Sequence, residues 1–454
     1  MTSVWRSLAR LVRAISRRSG RGGGTTLPGR LLLRADPRAL ERMSQRLDEG
    51  AVLVSATNGK TTTSAMVAAV LERTGKKVVH NRAGSNMGWG VATALLDAGH
   101  EPGQLGLFEV DEAWLPRVAR ALHPGTYLLS NLFRDQLDRY GELESLADGW
   151  ADLVAADADR ARFVLNADDP LIADLGRGRE TSVLYYGVED DSQALPSLQH
   201  AADSKHCRNC GAPYVYDAVY LGHLGRYHCE NCGRTRPTPA VSAQHVELEG
   251  MSGARVSLAT PQGPIEFRLP LPGLYNVYNA VAAAALSLEL GAKPAQVREA
   301  LEGFGGAFGR VETIPVDGRP VSILLVKNPA GANEVLRTLT LEEGPIDLWL
   351  ALNDGIADGR DVSWIWDADF EQLAGRVRRA TCSGTRAEEM ALRLKYAGIE
   401  AELTVERDIE SSLDSAVAAG SGKGAPLYAL PTYTALLELR DLLARRGLAA
   451  RWAD

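Results

Sequence analysis

Cysteine is scarce in this sequence, and its few residues are unevenly placed. The 454-residue chain has only five cysteines, and four of them lie in one short window. A secreted domain held together by disulfides would distribute its cysteines along the chain, whereas such a cluster in a large chain is typical of an intracellular metal site. The sequence therefore predicts metal binding rather than a disulfide scaffold.

Long apolar segments are also missing. No stretch of the sequence approaches the roughly 20 consecutive apolar residues that a helix needs to cross a bilayer. The N-terminal residues also lack the uninterrupted apolar core of a secretory signal peptide. We therefore expect a cytoplasmic protein that would meet a lipid substrate only at the membrane surface.

Acidic residues are absent from positions 1–30. This segment carries arginine at positions 6, 10, 13, 17, 18, 21 and 30, and apolar side chains recur at helical spacing between Trp5 and Ile15. A basic amphipathic helix of this kind can lie on an anionic membrane. The alternative is a solvated helix that packs on the first domain, and the sequence leaves both interpretations open.

The chain as a whole has no excess of positive charge. Its net charge of -7 at pH 7 disfavours a nucleic-acid-binding protein that relies on overall electrostatic attraction. With 45% hydrophobic and 24% charged residues, the composition is that of an ordinary soluble globular protein. The length suggests about two to four domains.

Strand-like and helix-like segments alternate from about residue 50. The first series of strands is predicted from short apolar runs at 51–54, 78–79, 105–108, 127–129 and 163–165, with a helix over 62–73. A second series is predicted from apolar runs at 321–326, 346–352 and 427–430, with helices over 388–397 and 433–445. Such alternation predicts an α/β fold whose mostly parallel sheets carry helices on both faces.

Residues 196–240 interrupt this rhythm with cysteines, tyrosines and few aliphatic side chains. We interpret them as an insertion, because a β-rich stretch at about 241–270 and a helix over 279–290 restore the α/β pattern. The predicted division of the chain is a basic N-terminal helical segment (1–45), a central nucleotide-binding domain (46–311) with the insertion at about 200–238, and a Rossmann-like C-terminal α/β domain (312–454).

The first strand leads into a segment typical of phosphate-binding loops. Backbone N–H groups and the helix dipole attract phosphate at such a strand–loop–helix junction. Lys60 would reach the β- and γ-phosphates of ATP, and the Thr61 hydroxyl would bind magnesium. The segment is not a full Walker A motif, because Val54 occupies its first glycine position. The loop residues predicted to bind ATP are Thr57, Asn58, Gly59, Lys60, Thr61 and Thr62.

A magnesium nucleotide also needs a nearby carboxylate. Glu109 follows the apolar run 105–108, which would place it at the C-terminal edge of the sheet. Ligands of open α/β sheets collect at that edge. The alternative is a solvated acidic turn, which spacing alone does not exclude.

The clustered cysteines form two Cys-x-x-Cys pairs, at Cys207/Cys210 and Cys229/Cys232, separated by eighteen residues. This spacing predicts a structural Zn²⁺ site of the zinc-ribbon type, with four thiolates and no open position for a substrate. We interpret the neighbouring histidines as surface or supporting residues rather than ligands; they are His206, His223 and His228. Cys382 is isolated and is predicted to be a small buried side chain.

Five segments, in order along the chain, resemble those of the Mur ligases and folylpolyglutamate synthases. They are Ala56–Thr62, Ser130–Gly141, Asn166–Pro170, Leu274–Ala280 and Phe308–Glu312. The resemblance implies a Mur ligase-like central domain that uses ATP and Mg²⁺ to form an acyl phosphate on a substrate carboxylate, which an amine then attacks. It also implies that Glu109 binds magnesium, Asn279 contacts adenine and Arg310 reaches the phosphates.

Two departures from that family concern a second magnesium ion. Gln136 stands where many Mur ligases carry a magnesium-binding histidine. The residues just before Asn166, Arg160–Phe163, include no lysine, although many family members use a carbamylated lysine there. A second magnesium site is therefore either absent or built differently.

The segment after the apolar strand 346–352 resembles one particular branch of the Mur ligases, the MurT family. Residues 353–367 combine several aspartates, glycines and two tryptophans, and such a loop suggests a functional site; a turn capped by aspartates is the alternative. Residues 327–331 and the internal zinc ribbon share this resemblance. It implies that Asp361 completes the Cys–His site of a GatD-type glutaminase subunit, which supplies ammonia.

The function expected from this resemblance is ATP-dependent amidation of the D-glutamate α-carboxylate of lipid II. The protein would work as a heterodimer at the inner face of the cell membrane, possessing ATP, Mg²⁺ and Zn²⁺ sites and no nucleic-acid partner. An amino-acid-adding Mur or folylpolyglutamate-type ligase is one alternative. The other is a non-enzymatic nucleotide- and zinc-binding module that binds nucleic acid, which would need a broader basic track.

Overall fold

The computed structural model describes residues 26–81, 85–99, 101–135, 143–179, 181–200, 202–305, 311–420 and 425–449. Several predictions fall outside these residues: most of the basic N-terminal segment, Gln136 and Arg310. Among the described helices, none combines the length and the apolar character needed to cross a membrane.

The described residues form two large sheets and one small hairpin. The strands are β1 Ala51–Ser55, β2 Lys77–His80, β3 Gln104–Glu109, β4 Thr126–Leu129, β5 Arg162–Asn166, β6 Val183–Val188, β7 Val215–Leu221, β8 Leu224–His228, β9 Val241–Leu248, β10 Ala254–Ala259, β11 Ile265–Leu269, β12 Val311–Val316, β13 Arg319–Leu324, β14 Ile346–Ala351, β15 Val377–Ser383, β16 Glu402–Val405 and β17 Leu427–Pro431. The α-helices are α1 Leu27–Ala35, α2 Ala39–Ser44, α3 Lys60–Arg73, α4 Gly88–Ala98, α5 Leu115–Leu122, α6 Leu143–Asp157, α7 Pro170–Ala173, α8 Leu274–Glu289, α9 Pro294–Glu302, α10 Pro329–Thr340, α11 Ala387–Tyr396, α12 Ile409–Ala418 and α13 Tyr433–Arg445.

The larger sheet has nine strands in the order β11-β10-β9-β6-β5-β4-β1-β3-β2. Its strands from β9 to β2 run parallel, and β10 and β11 extend one edge in antiparallel fashion. Every residue of β1 is buried, as expected for a central strand covered on both faces. The predicted α/β fold class is confirmed.

The register of the larger sheet decides what surrounds the end of β1. This strand lies between β3 and β4, with Val54 opposite Glu109 and Ser55 opposite Leu129. The C-terminal ends of three parallel strands therefore meet at the loop that follows Ser55. A crevice between diverging connections at such an edge is the usual ligand site of an open α/β sheet.

The hairpin β7–β8 lies in the predicted insertion. It falls between β6 and β9, which are neighbours in the larger sheet, so the insertion leaves the sheet and returns to it at the adjacent position. The exact domain limits given from the sequence remain a prediction.

The smaller sheet has six strands in the order β12-β13-β17-β14-β15-β16. All its pairings are parallel except the one between β12 and β13. Two apolar clusters, built around Leu350 and Trp349, cover its two faces. Side-chain alternation along β14 explains this, because neighbouring residues of a strand point to opposite faces.

Two helices begin earlier than the sequence predicted. α3 begins at Lys60 rather than Thr62, because Gly59 takes a left-handed conformation (φ 86°) and turns the chain directly into the helix. α8 begins at Leu274 rather than Asn279, again after a glycine with positive φ, Gly273. In both cases the apolar pattern becomes clear only after the first turn.

The described part of the N-terminal segment packs on the larger sheet's helices. Gly29 of α1 donates its N–H to Thr93 Oγ1 of α4 at 3.0 Å. A β-carbon at position 29 would lie 1.9 Å from the Trp89 carbonyl oxygen, so only glycine allows this approach. The amphipathic stretch between Trp5 and Ile15, for which the sequence left two interpretations open, lies outside the described residues.

Candidate active site

The loop after β1 leads into the N-terminus of α3 and is held in place by hydrogen bonds to Asn131. The Thr57 N–H donates to the Asn131 carbonyl oxygen at 3.0 Å, and the Asn58 N–H donates to Asn131 Oδ1 at 2.9 Å. Asn131 Nδ2 in turn donates to the Asn58 carbonyl oxygen at 3.0 Å. The sequence predicted the loop but not the bracing role of Asn131. The N-terminus of α3, which this loop precedes, is a suitable anion site.

Lys60 lies within the loop, surrounded by acids. Its ammonium donates to the Ala56 carbonyl oxygen at 2.8 Å and to Glu112 Oε2 at 3.0 Å. Burial alone would lower the pKa of Lys60, but the charges of Glu112, Asp111 and Glu109 together raise it above its ordinary value. Lys60 is therefore fully charged at neutral pH, as phosphate binding requires.

Thr61 and Glu109 are in direct contact. Thr61 Oγ1 donates to Glu109 Oε1 at 2.9 Å, and the Glu109 side chain is buried. Asn81 fixes the backbone at this point, because its side chain accepts from the Glu109 N–H at 2.9 Å and donates to the Glu109 carbonyl at 2.8 Å. A hydroxyl and a carboxylate at this distance are ligands that Mg²⁺ accepts. A solvated acidic turn is inconsistent with this burial.

The smaller sheet contributes to the same site through the residues before α10. Asn328 Nδ2 donates to Asn58 Oδ1 at 3.0 Å, and Lys327 Nζ donates to the Thr57 carbonyl oxygen at 3.4 Å. Lys327 also forms an ion pair with Asp135. The phosphate loop is thus bridged to the C-terminal part of the chain.

Asn279 lies on α8 against the phosphate loop. Its Oδ1 accepts from Thr63 Oγ1 at 3.2 Å, and its Nδ2 donates to Asn276 Oδ1 at 3.1 Å. A β-carbon at Gly59 would lie 2.0 Å from Asn279 Oδ1. The fold therefore brings Asn279 and the loop together, as the sequence predicted, although its adenine contact remains a prediction.

A cleft opens between the phosphate loop, α8 and α10. The open space between these elements, with its mouth included, is about 910 Å³. Its described lining residues include the loop residues Asn58, Gly59 and Thr62. Away from the loop, its walls are mainly apolar, from Leu221, Leu224, Leu271, Leu325 and Val335. Of the described lining residues, Lys327 and Glu334 carry charge.

The four clustered cysteines form a second site, within the insertion. Their Sγ atoms all lie within 4.8 Å of one another. The Cys207–Cys232 and Cys210–Cys229 sulfurs are 3.6 and 3.4 Å apart, close to the edge of about 3.8 Å that tetrahedral Zn–S bonds imply.

Two tight turns shape this cluster. The Gly211 N–H donates to the Cys207 carbonyl at 2.8 Å, and the Gly233 N–H donates to the Cys229 carbonyl at 2.9 Å, with both glycines at positive φ. The hydrogen bond from the Arg234 backbone lowers the pKa of the Cys232 thiol. These residues fit a zinc ion. Among the described residues, none of the nearby histidines joins the group.

Of the two alternatives for His223, surface or supporting residue, the structure excludes the surface. His223 is completely buried, with Nε2 3.4 Å from Asp169 Oδ2 and its ring 4.6 Å from that of Phe133. It therefore joins the hairpin to the larger sheet. His206 is exposed, and His228 lies 3.1 Å from Asp217 at the surface, as expected.

Asp168 is the main junction between the insertion and the sheet. Its fully buried carboxylate accepts from Arg236 Nε at 2.7 Å, the Val188 N–H at 2.9 Å and Tyr278 Oη at 2.6 Å. Burial raises the pKa of Asp168 although Arg236 opposes that effect. The sequence identified Asp168 as part of a family segment but not its partner Arg236.

The aspartate-rich loop after β14 is fixed by two of its acids and exposes a third. Asp358 accepts from the Thr434 N–H at 2.8 Å, and Asp354 accepts from Thr385 Oγ1 at 2.8 Å. Asp361 is exposed, and it accepts from the Ser363 N–H at 2.8 Å. Hydrogen bonds from Ser363 lower the pKa of Asp361, so it is ionised at neutral pH. The hydrogen bonds of Asp354 and Asp358 to other segments give these two acids a structural role in the loop. Asp361 is exposed and bonds only within its own turn, so a turn capped by aspartates accounts for it less fully.

Exposed apolar side chains occur in the same region. Ile356 is 78% exposed, and Trp366 (49%) packs edge-on against Tyr396 (71%) with ring centroids 5.6 Å apart. Exposed aromatic side chains beside a charged loop are typical of protein–protein contact surfaces.

A separate basic cleft lies between α1, α2, α4 and α5. Trp89 and Trp114 meet edge-on there, with ring centroids 4.8 Å apart. Arg30 lies over the Trp89 ring at 5.4 Å, and Arg117 lies over the Trp114 ring at 5.1 Å. The cleft is also lined by Arg34, Arg120 and Glu41.

Comparison with known families matches two regions of the chain. Residues 54–232 match the Mur ligase middle domain, and residues 325–436 match the MurT ligase C-terminal family. The two matches cover the phosphate loop, the cysteine cluster and the aspartate-rich loop.

Characterised relatives are similar over nearly the whole chain. The chain is 32% identical over 439 residues to the lipid II isoglutaminyl synthase (glutamine-hydrolyzing) subunit MurT of Staphylococcus aureus strain N315, covering 96% of this chain and 97% of that protein. It is 32% identical to the subunit of the same name from Streptococcus pneumoniae strain ATCC BAA-255 / R6, with 95% and 94% covered. A pseudomurein peptide ligase type C from Methanothermus fervidus has a similar fold, with a TM-score of 0.68 at 22% identity over 88% of this chain and 79% of that one.

Proposed function

The chain belongs to the MurT family of Mur ligases, and we propose that it amidates the α-carboxylate of D-glutamate in lipid II to give D-isoglutamine. The observation that carries the proposal concerns the five cysteines. Four lie in the metal cluster, and the fifth, Cys382, is fully buried with a pKa raised by that burial to about 12. A glutaminase needs an accessible thiolate, which none of these cysteines offers, and we propose that a partner subunit releases the ammonia.

The phosphate loop supports the first chemical step. ATP transfers its γ-phosphoryl group to the substrate carboxylate, which yields an acyl phosphate and ADP. Lys60 would stabilise the charge of the transferring group, and Thr61 and Glu109 would hold the magnesium ion. Arg310 is proposed to add a second cation from outside the described residues. Ammonia then attacks the acyl carbon, and phosphate leaves.

Asp361 supports a role for the partner. A Cys–His glutaminase needs a third group to orient and stabilise its imidazolium. We assign that role to Asp361 acting on a GatD-type subunit in a heterodimer, because it is exposed and ionised in a loop that other acids hold in place. The apolar surface of Ile356, Trp366 and Tyr396 would then face the partner.

The basic cleft supports a substrate carried at the membrane. Four arginines surround two tryptophans there, and the chain before α1 adds further arginines. Arginine and tryptophan together suit the phosphate-rich surface of a bilayer. We therefore place the protein at the inner face of the cell membrane. Co-sedimentation with phosphatidylglycerol vesicles should fall when Arg117 and Arg120 are both replaced by glutamate; unchanged binding would contradict this placement.

One experiment separates amidation from the addition of an amino acid. The protein is incubated with ATP, Mg²⁺, lipid II and ammonium chloride, or with glutamine and a GatD-type subunit, and the product is weighed by mass spectrometry. We expect one carboxyl hydroxyl to be replaced by an amino group in both reactions. A product enlarged by a whole amino acid, or no ATP-dependent product, would contradict the proposal.

A further inference from the structure

Glu334 is a buried acid without a hydrogen-bond partner among the described residues. It lies on α10, its side chain is only 1% exposed, and neither carboxylate oxygen forms a hydrogen bond there. The backbone N–H of Tyr275 is close enough to stabilise its charge but does not form a hydrogen bond of normal geometry. Buried polar groups in proteins are nearly always satisfied, so this one requires an explanation.

The nearest cation does not supply the missing partner. Arg337 NH1 is 4.0 Å from Glu334 Oε1, beyond hydrogen-bond distance. Its guanidinium is held elsewhere, donating to the carbonyl oxygens of Tyr220 at 3.0 Å and Gln193 at 2.9 Å. Burial raises the pKa of Glu334 to about 7, with Arg337 opposing that effect.

The position of Glu334 indicates what could satisfy it. It lines the same cleft as Asn58, Gly59 and Asn279, and it is the one acid among the described lining residues. Besides polar residues of the phosphate loop and α8, the cleft is lined by apolar side chains that include Leu221, Leu224 and Leu271. Ligand pockets are usually apolar with a few polar groups that fix orientation, which suits a nucleobase, whereas phosphate needs the several polar partners of the loop. Asn279, meanwhile, already exchanges hydrogen bonds with Thr63 and Asn276.

We infer that Glu334 recognises the base of the bound nucleotide by accepting a hydrogen bond from the 6-amino group of adenine. When the acid is protonated, its hydroxyl can also donate to the neighbouring ring nitrogen, N1. This inference rests on the proposed use of ATP and adds a residue that selects the base.

The inference predicts that replacing Glu334 by an apolar residue abolishes the effect of removing the 6-amino group from the nucleotide. Calorimetry would compare binding of the non-hydrolysable analogue of ATP with that of the same analogue lacking the 6-amino group. The wild type should bind the amino form about tenfold more tightly, the usual effect of one buried hydrogen bond. Glu334→Gln should retain that preference because its amide oxygen also accepts. Glu334→Leu and Glu334→Ala should bind both analogues with equal affinity.

Controls distinguish this role from a general effect on folding. Glu342→Gln is the control, since Glu342 is another acid of the C-terminal region but does not line the cleft. Its carboxylate accepts from Tyr428 Oη and the Met251 N–H. This variant should prefer the analogue with the 6-amino group as strongly as the wild type does. Thermal unfolding should show that each variant is folded. If both Glu334→Leu and Glu334→Ala keep the full preference for the analogue that has the 6-amino group, the inference about Glu334 is overturned. The proposed use of ATP would not be affected by that result. Failure of the wild type to bind either analogue would contradict the proposed function as well.

Discussion

Asn58 and Asn328 join the two halves of the cleft through their side-chain amides. Asn328 Nδ2 donates to Asn58 Oδ1 at 3.0 Å, and Asn328 Oδ1 accepts from the Gly331 N–H at 2.9 Å. One residue thus caps α10 and holds the phosphate loop. Together with the contacts of Lys327, this pair holds the C-terminal sheet against the phosphate loop.

Asn328→Ser separates these two roles. Serine can still cap α10, so the thermal midpoint should stay within about 1 °C of the wild type. It is too short to reach Asn58, and loss of that hydrogen bond should weaken ATP binding about fivefold. Calorimetry and thermal unfolding measure the two effects. A variant that binds ATP like the wild type would show that the amide pair does not help to hold the cleft closed.

Glu109→Gln should impair magnesium use. The substitution removes the charge but preserves the shape of the side chain beside Thr61, so the fold should persist. We expect kcat to fall about 100-fold and the magnesium concentration for half-maximal activity to rise. Binding of ATP without magnesium should be unchanged. Asp317→Asn, at an exposed turn, provides a control with the same chemical change. An unchanged magnesium requirement in Glu109→Gln would argue against the assignment.

Asp361→Asn should uncouple glutamine from amidation. Glutamine-dependent activity with the partner subunit should fall by about 10⁴-fold, the effect known for loss of the orienting acid in a triad. Activity with free ammonium chloride should persist, because the ATP site is untouched. Asp367→Asn changes a partly exposed acid nearby and should retain glutamine use. If Asp361→Asn keeps full activity with glutamine, Asp361 is not the acid supplied to the partner.

The cysteine cluster should hold about one zinc ion per chain. Elemental analysis of the purified protein measures this directly. Replacement of Cys207 by serine should lower the zinc content and the thermal stability together, whereas Cys382→Ser should leave zinc content unchanged, since Cys382 lies outside the cluster. A folded wild-type protein without metal would refute the zinc ribbon.

The buried Glu334 should make stability depend on pH. Its pKa is about 7 in the folded chain and ordinary, 4.5, in the unfolded one. The folded state therefore loses stability as pH rises from about 4.5 to about 7, by at most about 3 kcal/mol, and loses no more above that range. Glu334→Gln removes this penalty. Its thermal midpoint should exceed that of the wild type only slightly at pH 5 and clearly at pH 8; an equal difference at both pH values would contradict the expectation.

Much of the active site could be predicted because it follows from local pattern and strand register. Glu109 ends one strand and the phosphate loop follows its parallel neighbour, so the sheet itself brings them together. The spacing of the four clustered cysteines likewise predicts that they come together, without information from any other part of the chain. Contacts between distant segments were not predictable in this way. The Asn58–Asn328 pair joins residues 270 positions apart, and nothing in either local sequence specifies the other.

Burial was the other property that the sequence did not reveal. The sequence left open whether His223 is a surface or a supporting residue, and the structure shows it fully buried beside Asp169 and Phe133. Glu334 occupies a helix whose pattern permits a solvent-facing acid, yet the folded chain buries it beside the cleft. Both cases depend on which elements cover a residue after folding, and periodicity along one helix or hairpin does not carry that information.

The contacts of Asp168 connect the segment that follows the cysteine cluster with the helix beside the cleft. The Asp168 carboxylate hydrogen bonds both to Arg236, at the base of the zinc ribbon, and to Tyr278, one residue before Asn279 on α8. A nucleotide bound against α8 would therefore be linked to the cysteine cluster through this carboxylate, and thermodynamic linkage makes such coupling reciprocal. With the proposed zinc ion in that cluster, we expect a chelator to remove it more slowly from the nucleotide-loaded protein than from the empty one.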